Sequence, residues 1–193
     1  MVHNKYYIII KEFLNDLNRS LYGRMLVKKI NLSQKAIALT LDELEQMNLL
    51  KSTKVGNIKY YQLNLLYKEI KEIIVIAEIM NKMEFTAKQK KIATIFKTDT
   101  RIIGIFGSYA KSTQKIDSDI DLFIIGEKRN PDYEETGKLY DLDISCKYFT
   151  EQEFKTFAKK KNSLINEIVK NHIIIFGFEK WVNKIWSDYY DFN

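Results

Sequence analysis

Cysteine occurs once, at Cys146, so the chain can neither close a disulfide on itself nor build a cysteine-rich zinc site. Pro131 is the only proline and there are seven glycines, which predicts short loops; no low-complexity linker or internal repeat is visible. The two histidines, His3 and His172, are isolated, and each reads as a core or surface residue and not as a metal ligand. No apolar run approaches the ~20 residues that a membrane span needs. The chain turns polar at once after the apolar stretch Tyr6–Ile10, and no small-residue cleavage site follows, so neither a signal peptide nor membrane association is expected. A reducing cytoplasm is the expected compartment. Walker A and G-x-G-x-x-G loops are both missing; Gly104 and Gly107 satisfy neither spacing.

What remains is an ordinary globular composition, 46% hydrophobic and 29% charged over 193 residues, enough for one domain or two small ones. The net charge of +6 is uneven. Residues 1–100 carry 17 Lys/Arg against 10 Asp/Glu, and residues 101–193 carry 14 against 15. A basic front half suits contact with phosphate backbones, although a solvated lysine-rich surface has the same charge.

Apolar spacing predicts a helix over 5–18, a second over 22–30, and a third from the N-cap Ser33 to about Asn48, with Ile37, Leu41, Leu44 and Met47 on one face. Two alternating segments then flank Gly56-Asn57, whose positive φ makes a tight hairpin. A long apolar helix is expected over 65–83 and another over 86–97, capped by Thr86. From Arg101 the pattern becomes strand–helix alternation. Strands are expected at 101–106, 119–125 and 140–149, with a short helix at 108–114. Helices follow at 150–159 and 163–171, then the apolar run 172–176 and a terminal helix from 178. Lys159–Lys161 reads as a solvated helix end, and the aromatic tail from Trp181 to Phe192 as core or subunit contact.

The chemistry concentrates between Gly107 and Leu122. A glycine closing a buried strand lets the backbone turn sharply and approach a ligand. The helix after it points free amide N–H groups outward, which suits phosphate. Ser108 adds a hydroxyl and Lys111 a charge. On the next strand Asp119 and Asp121, two residues apart, share a face at roughly 6–7 Å. Two carboxylates so placed repel by roughly 3 kcal/mol at an effective dielectric near 20. An oxygen-preferring divalent ion, Mg²⁺ or Mn²⁺, would offset that; two solvated aspartates at a strand end are the plainer alternative.

Gly107, Ser108 and Ala110, followed by Ser118, Asp119, Asp121 and Leu122, resemble the signature of the DNA polymerase β-type nucleotidyltransferases, in particular the minimal branch. Lys111 and Ser112 stand where that pattern has Arg and Gly. The resemblance implies an α/β (α+β) class, with a mixed sheet flanked by helices over 98–193. It implies that a nucleoside triphosphate, ATP in the first instance, is cradled by Gly107, Ser108, Lys111 and Ser118. Asp119 and Asp121 are then metal ligands, and Asp143 is the third ligand or the base that activates the acceptor. Aligning instead on Thr150-Glu-Gln-Glu-Phe154 places Ser145 at that third position.

Residues 32–44 with Met47–Leu50 and Val55–Tyr61 resemble the recognition helix and wing of winged helix-turn-helix regulators. This implies a double-stranded DNA reader over 1–64, joined by linking helices over 65–97. Ser33, Gln34 and Lys35 would face the major groove, while Lys54, Asn57 and Lys59 would follow the backbone. Most symmetric DNA readers are dimers, so a homodimer is expected. The leading expectation is a metal-dependent nucleotidyltransferase with a DNA-binding winged helix. The alternatives are a transcription regulator whose transferase domain only senses nucleotide, and an antitoxin-like partner of a helical toxin.

Overall fold

A computed structural model describes residues 5–115 and 117–192, so His3 lies outside the described residues. Helices and two sheets make this a mixed α/β protein. The chain gathers into two compact units, Met1–Ala77 and Glu78–Asn193.

In the first unit α1 (Lys5–Ile10) tightens into a 3₁₀ turn over Lys11–Phe13. The helix expected to reach residue 18 ends early. Asp16 Oδ1 accepts the Asn18 amide at 3.0 Å, a local bond that competes with helix. After α2 (Gly23–Val27), α3 (Gln34–Gln46) starts where Ser33 Oγ accepts the Ala36 amide at 3.2 Å. It stops where Asn48 turns left-handed at φ +59°. Ile37, Leu41 and Leu44 are buried as expected, but Met47, at the helix end, is exposed. Strands β1 (Leu50–Val55) and β2 (Ile58–Leu63) pair antiparallel, with Val55 opposite Ile58 across Gly56 at φ +59°. An isolated bridge joins Leu21 to Tyr61 on β2.

Helix α4 (Ile70–Lys88) begins in the first unit and continues into the second. It starts later than expected because successive turns, Tyr67 N–H to Asn64 and Ile70 N–H to Tyr67, occupy the preceding chain; Leu66 is exposed. It also ends later, running through Thr86, whose hydroxyl donates to the Lys82 carbonyl instead of capping a new helix. A short α5 (Lys90–Ala93) follows.

The second sheet has the order β5–β4–β3–β6, from β3 (Ile102–Phe106), β4 (Ile120–Ile125), β5 (Ile144–Phe149) and β6 (Ile173–Phe176). β3 runs antiparallel to β4 and β6, whereas β4 and β5 are parallel. Between β3 and β4 lies α6 (Gly107–Ala110). The parallel crossover from β4 to β5 contains α7 (Tyr133–Leu139), which the apolar spacing does not announce. Its signal is Asp132, whose carboxylate accepts the Glu134 and Glu135 amides as an N-cap. Then come α8 (Glu151–Lys159), with a Thr150–Glu153 capping box, α9 (Ser163–Lys170) and α10 (Phe178–Lys184).

Alternation along the strands splits the sheet into two faces. Ile103, Ile105, Leu122, Ile124 and Ile175 form one buried cluster with Phe85, Ile92 and Tyr133. On the other face Phe123 meets Trp181 at 5.2 Å between ring centroids, and Trp181 meets Phe154 of α8 at 5.9 Å. Asp121 belongs by alternation to this second face. No helix among the described residues is long and apolar enough to cross a membrane.

Candidate active site

Gly107 sits where β3 ends and α6 starts, and takes φ +68°. Its missing side chain is a geometric requirement. A Cβ there would lie 2.4 Å from Asp121 Oδ2, because Asp121 on β4 is in register with Phe106. The β3–β4 pairing therefore lays a carboxylate against bare glycine backbone at the start of a helical turn, where amide N–H groups have no intrahelical acceptor. Ser108 is half-buried in that turn. Lys111 caps the turn, and its ammonium bonds Glu167 Oε1 on α9 at 2.5 Å. Ser112 follows at φ +56°, so the position where the family pattern has glycine does require a left-handed backbone.

Ser118 is engaged locally: its Oγ accepts the Lys115 amide at 2.8 Å and closes the turn that leads into β4. Asp119 is exposed just before β4 and Asp121 is half-buried within it. Burial first, then the charge of Asp119, push the Asp121 carboxyl above its usual range; Glu167 adds to this, while Lys147 and Lys111 oppose it. A carboxyl that resists ionisation beside a like charge is the electrostatic setting that a cation relieves. Asp119 and Asp121 are hard oxygen donors of the type that suits a divalent magnesium or manganese ion.

The parallel pairing with β5 determines what stands beside this pair. Asp121 is in register with Ser145. Asp143 is exposed one residue before β5, and its carbonyl accepts the Ile120 amide at 2.8 Å. Asp143 thus borders the entry to β4 near Asp119, and Ser145 occupies the place opposite Asp121. Among the described residues no group of three His, Cys, Asp or Glu side chains is arranged to hold a metal ion. Glu167 and Lys147, which sequence spacing did not single out, contribute to the field at Asp121.

In the first unit Ser33, Gln34, Lys35, Lys54 and Asn57 are all exposed. The hydroxyl of Ser33 caps α3. Lys59 is placed differently from expectation. Its ammonium bonds Glu45 at 2.6 Å and Asp42 at 3.1 Å, both on α3, and Tyr61 donates to Asp42 at 2.9 Å. This lysine clamps the hairpin to the helix, with its charge offset by two carboxylates.

Comparison with known proteins bears on the second unit. The family model "Polymerase beta, Nucleotidyltransferase" matches residues 90–180, which include β3, α6, β4 and β5. A Methanocaldococcus jannaschii protein that bears the provisional name protein adenylyltransferase MJ1547 is 36% identical over 101 residues, covering 46% of this chain and 73% of that protein. No solved structure matches the chain. With the glycine turn, the paired aspartates and a relative aligned over most of its length, the chain belongs to the polymerase beta nucleotidyltransferase family.

Proposed function

We propose that the second unit transfers a nucleoside monophosphate, AMP as the working case, from a nucleoside triphosphate to a hydroxyl of a protein acceptor. The observation that carries this reading is the Asp121 carboxylate lying against the bare Cα of Gly107, with Asp119 two residues away. The name of the archaeal relative supports AMP as the group and protein as the acceptor.

Asp119 and Asp121 would hold a magnesium or manganese ion, which would supply neutralising charge for the triphosphate. Ser108, Lys111 and the first amides of α6 position phosphate oxygens, and Ser118 fixes the approach of Asp119. The acceptor oxygen bonds to the α-phosphorus as the bond to the departing pyrophosphate breaks, in line and with little covalent work for the protein. Asp143, exposed beside the entry to β4, takes the hydroxyl proton. Transfer of label from α-labelled ATP to protein, abolished in Asp121→Asn, tests this reading; label transfer that is undiminished in that variant refutes it.

A second reading is a nucleotide sensor without transfer, favoured by Ser145 in register with Asp121. In that case ATP binds, no label moves, and Ser145→Asp introduces transfer by placing a third carboxylate beside the pair.

For the first unit the proposal is a winged helix that binds duplex DNA. Three helices and a hairpin in that order support it, as do the exposed Gln34, Lys35 and Lys54. Lys59 is not among the proposed phosphate contacts, because it serves Asp42 and Glu45. Lys35→Ala with Lys54→Ala should flatten the salt dependence of DNA binding by about one unit of slope per lost phosphate contact. Lys59→Ala should leave that slope unchanged, and an absence of duplex binding at low salt removes the proposal.

A further inference from the structure

The contact between Lys111 and Glu167 connects segments 56 residues apart. It joins the one lysine of the phosphate turn to a helix that the family signature does not include. The two partners are unequally held. Ile165, Ile168 and Val169 are completely buried, which fixes the rotation of α9. The end of that helix is pinned as well: the Asn171 amide donates to the Glu167 carbonyl at 2.8 Å. His172 Nδ1–H donates to the carbonyls of Ile168 and Val169 at 3.1 and 2.9 Å. Lys111, by contrast, ends a four-residue turn and leads into the exposed residues Ser112 and Thr113. The Glu167 carboxylate is therefore the fixed element and the lysine side chain the movable one. Both groups are about 40% exposed, so water already screens the pair and exchange of partner is inexpensive.

We propose that Glu167 is a latch on the nucleotide site, holding Lys111 while no nucleotide is bound and yielding it to the triphosphate. The inference rests on the reading of Gly107, Lys111 and Asp121 as a triphosphate site. A polyanion is the ligand that takes an ammonium from a single carboxylate, since it offers several oxygens of higher charge in place of one. Glu167 thus sets a threshold: nucleotide must compete for Lys111, and a ligand lacking the terminal phosphates gains nothing by displacing it. Glu167 acts through Lys111 and is a positioning residue.

The test is ATP affinity, with Mg²⁺ and again with EDTA, for wild type, Glu167→Gln, Lys111→Ala and the double variant. Glutamine has nearly the helix propensity of glutamate, so α9 should form in each. Glu167→Gln should tighten ATP binding about two- to fivefold, the worth of an exposed ion pair, under both conditions. Lys111→Ala should weaken binding. The gain from Glu167→Gln should vanish in the Lys111→Ala background, because the latch works only through that lysine. Unchanged or weaker binding by Glu167→Gln overturns the latch, as does a gain that persists without Lys111. Weakening confined to Mg²⁺ overturns it too, and makes Glu167 a metal ligand. If wild type binds ATP and Lys111→Ala weakens it, these failures touch the latch alone. If no variant binds ATP, the nucleotide site falls with it.

Discussion

Replacing Glu78 by methionine should cost stability by an amount that shrinks as pH rises. Glu78 and His172 are both completely buried, and His172 Nε2 lies 2.7 Å from Glu78 Oε1. The Nδ1–H of the ring already donates to two carbonyls at the end of α9. Burial alone lowers the imidazolium pKa, but the Glu78 charge and hydrogen bond, with those two carbonyls, outweigh it and hold the pKa above its ordinary value. Below that raised pKa the folded ring carries the proton, with Nε2–H donating to Glu78. Trp181 Nε1 stands 3.2 Å from the same nitrogen and can donate to it only when the ring is neutral. Without Glu78 the ring should shed its proton and accept from Trp181.

The sign follows from proton counts. In wild type the folded state binds the proton more tightly than the unfolded state. Its stabilisation is complete below the unfolded value near 6.5 and is lost, at about 1.4 kcal/mol per pH unit, as pH rises toward the folded value. In Glu78→Met the buried imidazolium has no anion, so the folded pKa falls below 6.5 and stability rises with pH up to that value. The difference between the proteins should be about 3–5 kcal/mol at pH 5.5, the cost of breaking a buried pair. It should be smaller at pH 7.5, because over that range the wild-type protein loses stability and the variant gains it. Both tryptophans, Trp181 and Trp186, lie in the second unit, so urea unfolding followed by tryptophan emission reports that unit alone. Groups that titrate alike in the two proteins cancel in the difference. A cost that is constant with pH, or that grows, would show that the folded pair does not hold the extra proton and would refute the raised His172 pKa.

Gly107→Ala should abolish metal-dependent ATP binding while lowering stability by about 1–2 kcal/mol for the left-handed backbone, because its Cβ would displace Asp121; retained ATP affinity would show that the Gly107–Asp121 contact is not part of the site. Ser112→Gly should raise stability by about 0.5–1 kcal/mol in urea unfolding by relieving φ +56°, the net of left-handed strain and glycine's greater unfolded freedom. Burial pushes the Cys146 thiol up to about 12, so a thiol reagent at neutral pH should label it slowly in folded protein and at once in urea; rapid native labelling would contradict its placement on β5.

Strands β3, β4 and β6 were legible because each is a short, mainly apolar run, and β4 showed its two faces through the alternation of Asp119 and Asp121 with Ile120 and Leu122. Helix α7 was hidden because seven mostly polar residues carry little periodicity, although Asp132 marked its start. Register is a different kind of information. Alternation places Asp143 and Ser145 on one face, and only pairing between strands separated by a crossover says which of them stands beside Asp121. That offset decides whether a carboxylate or a hydroxyl completes the site. Charge compensation was equally invisible, for the same reason. Lys59 looked like a wing lysine until Asp42 and Glu45 appeared 17 and 14 residues away, and Lys111 looked like an available phosphate ligand until α9 brought Glu167 to it. In both cases residue type stated what a side chain can bind, and the folded neighbourhood decided what it binds first. A lysine already held by a carboxylate contributes to ligand affinity only the difference between its two partners, so the same motif residue can be a strong, weak or conditional contact according to a helix the motif never mentions.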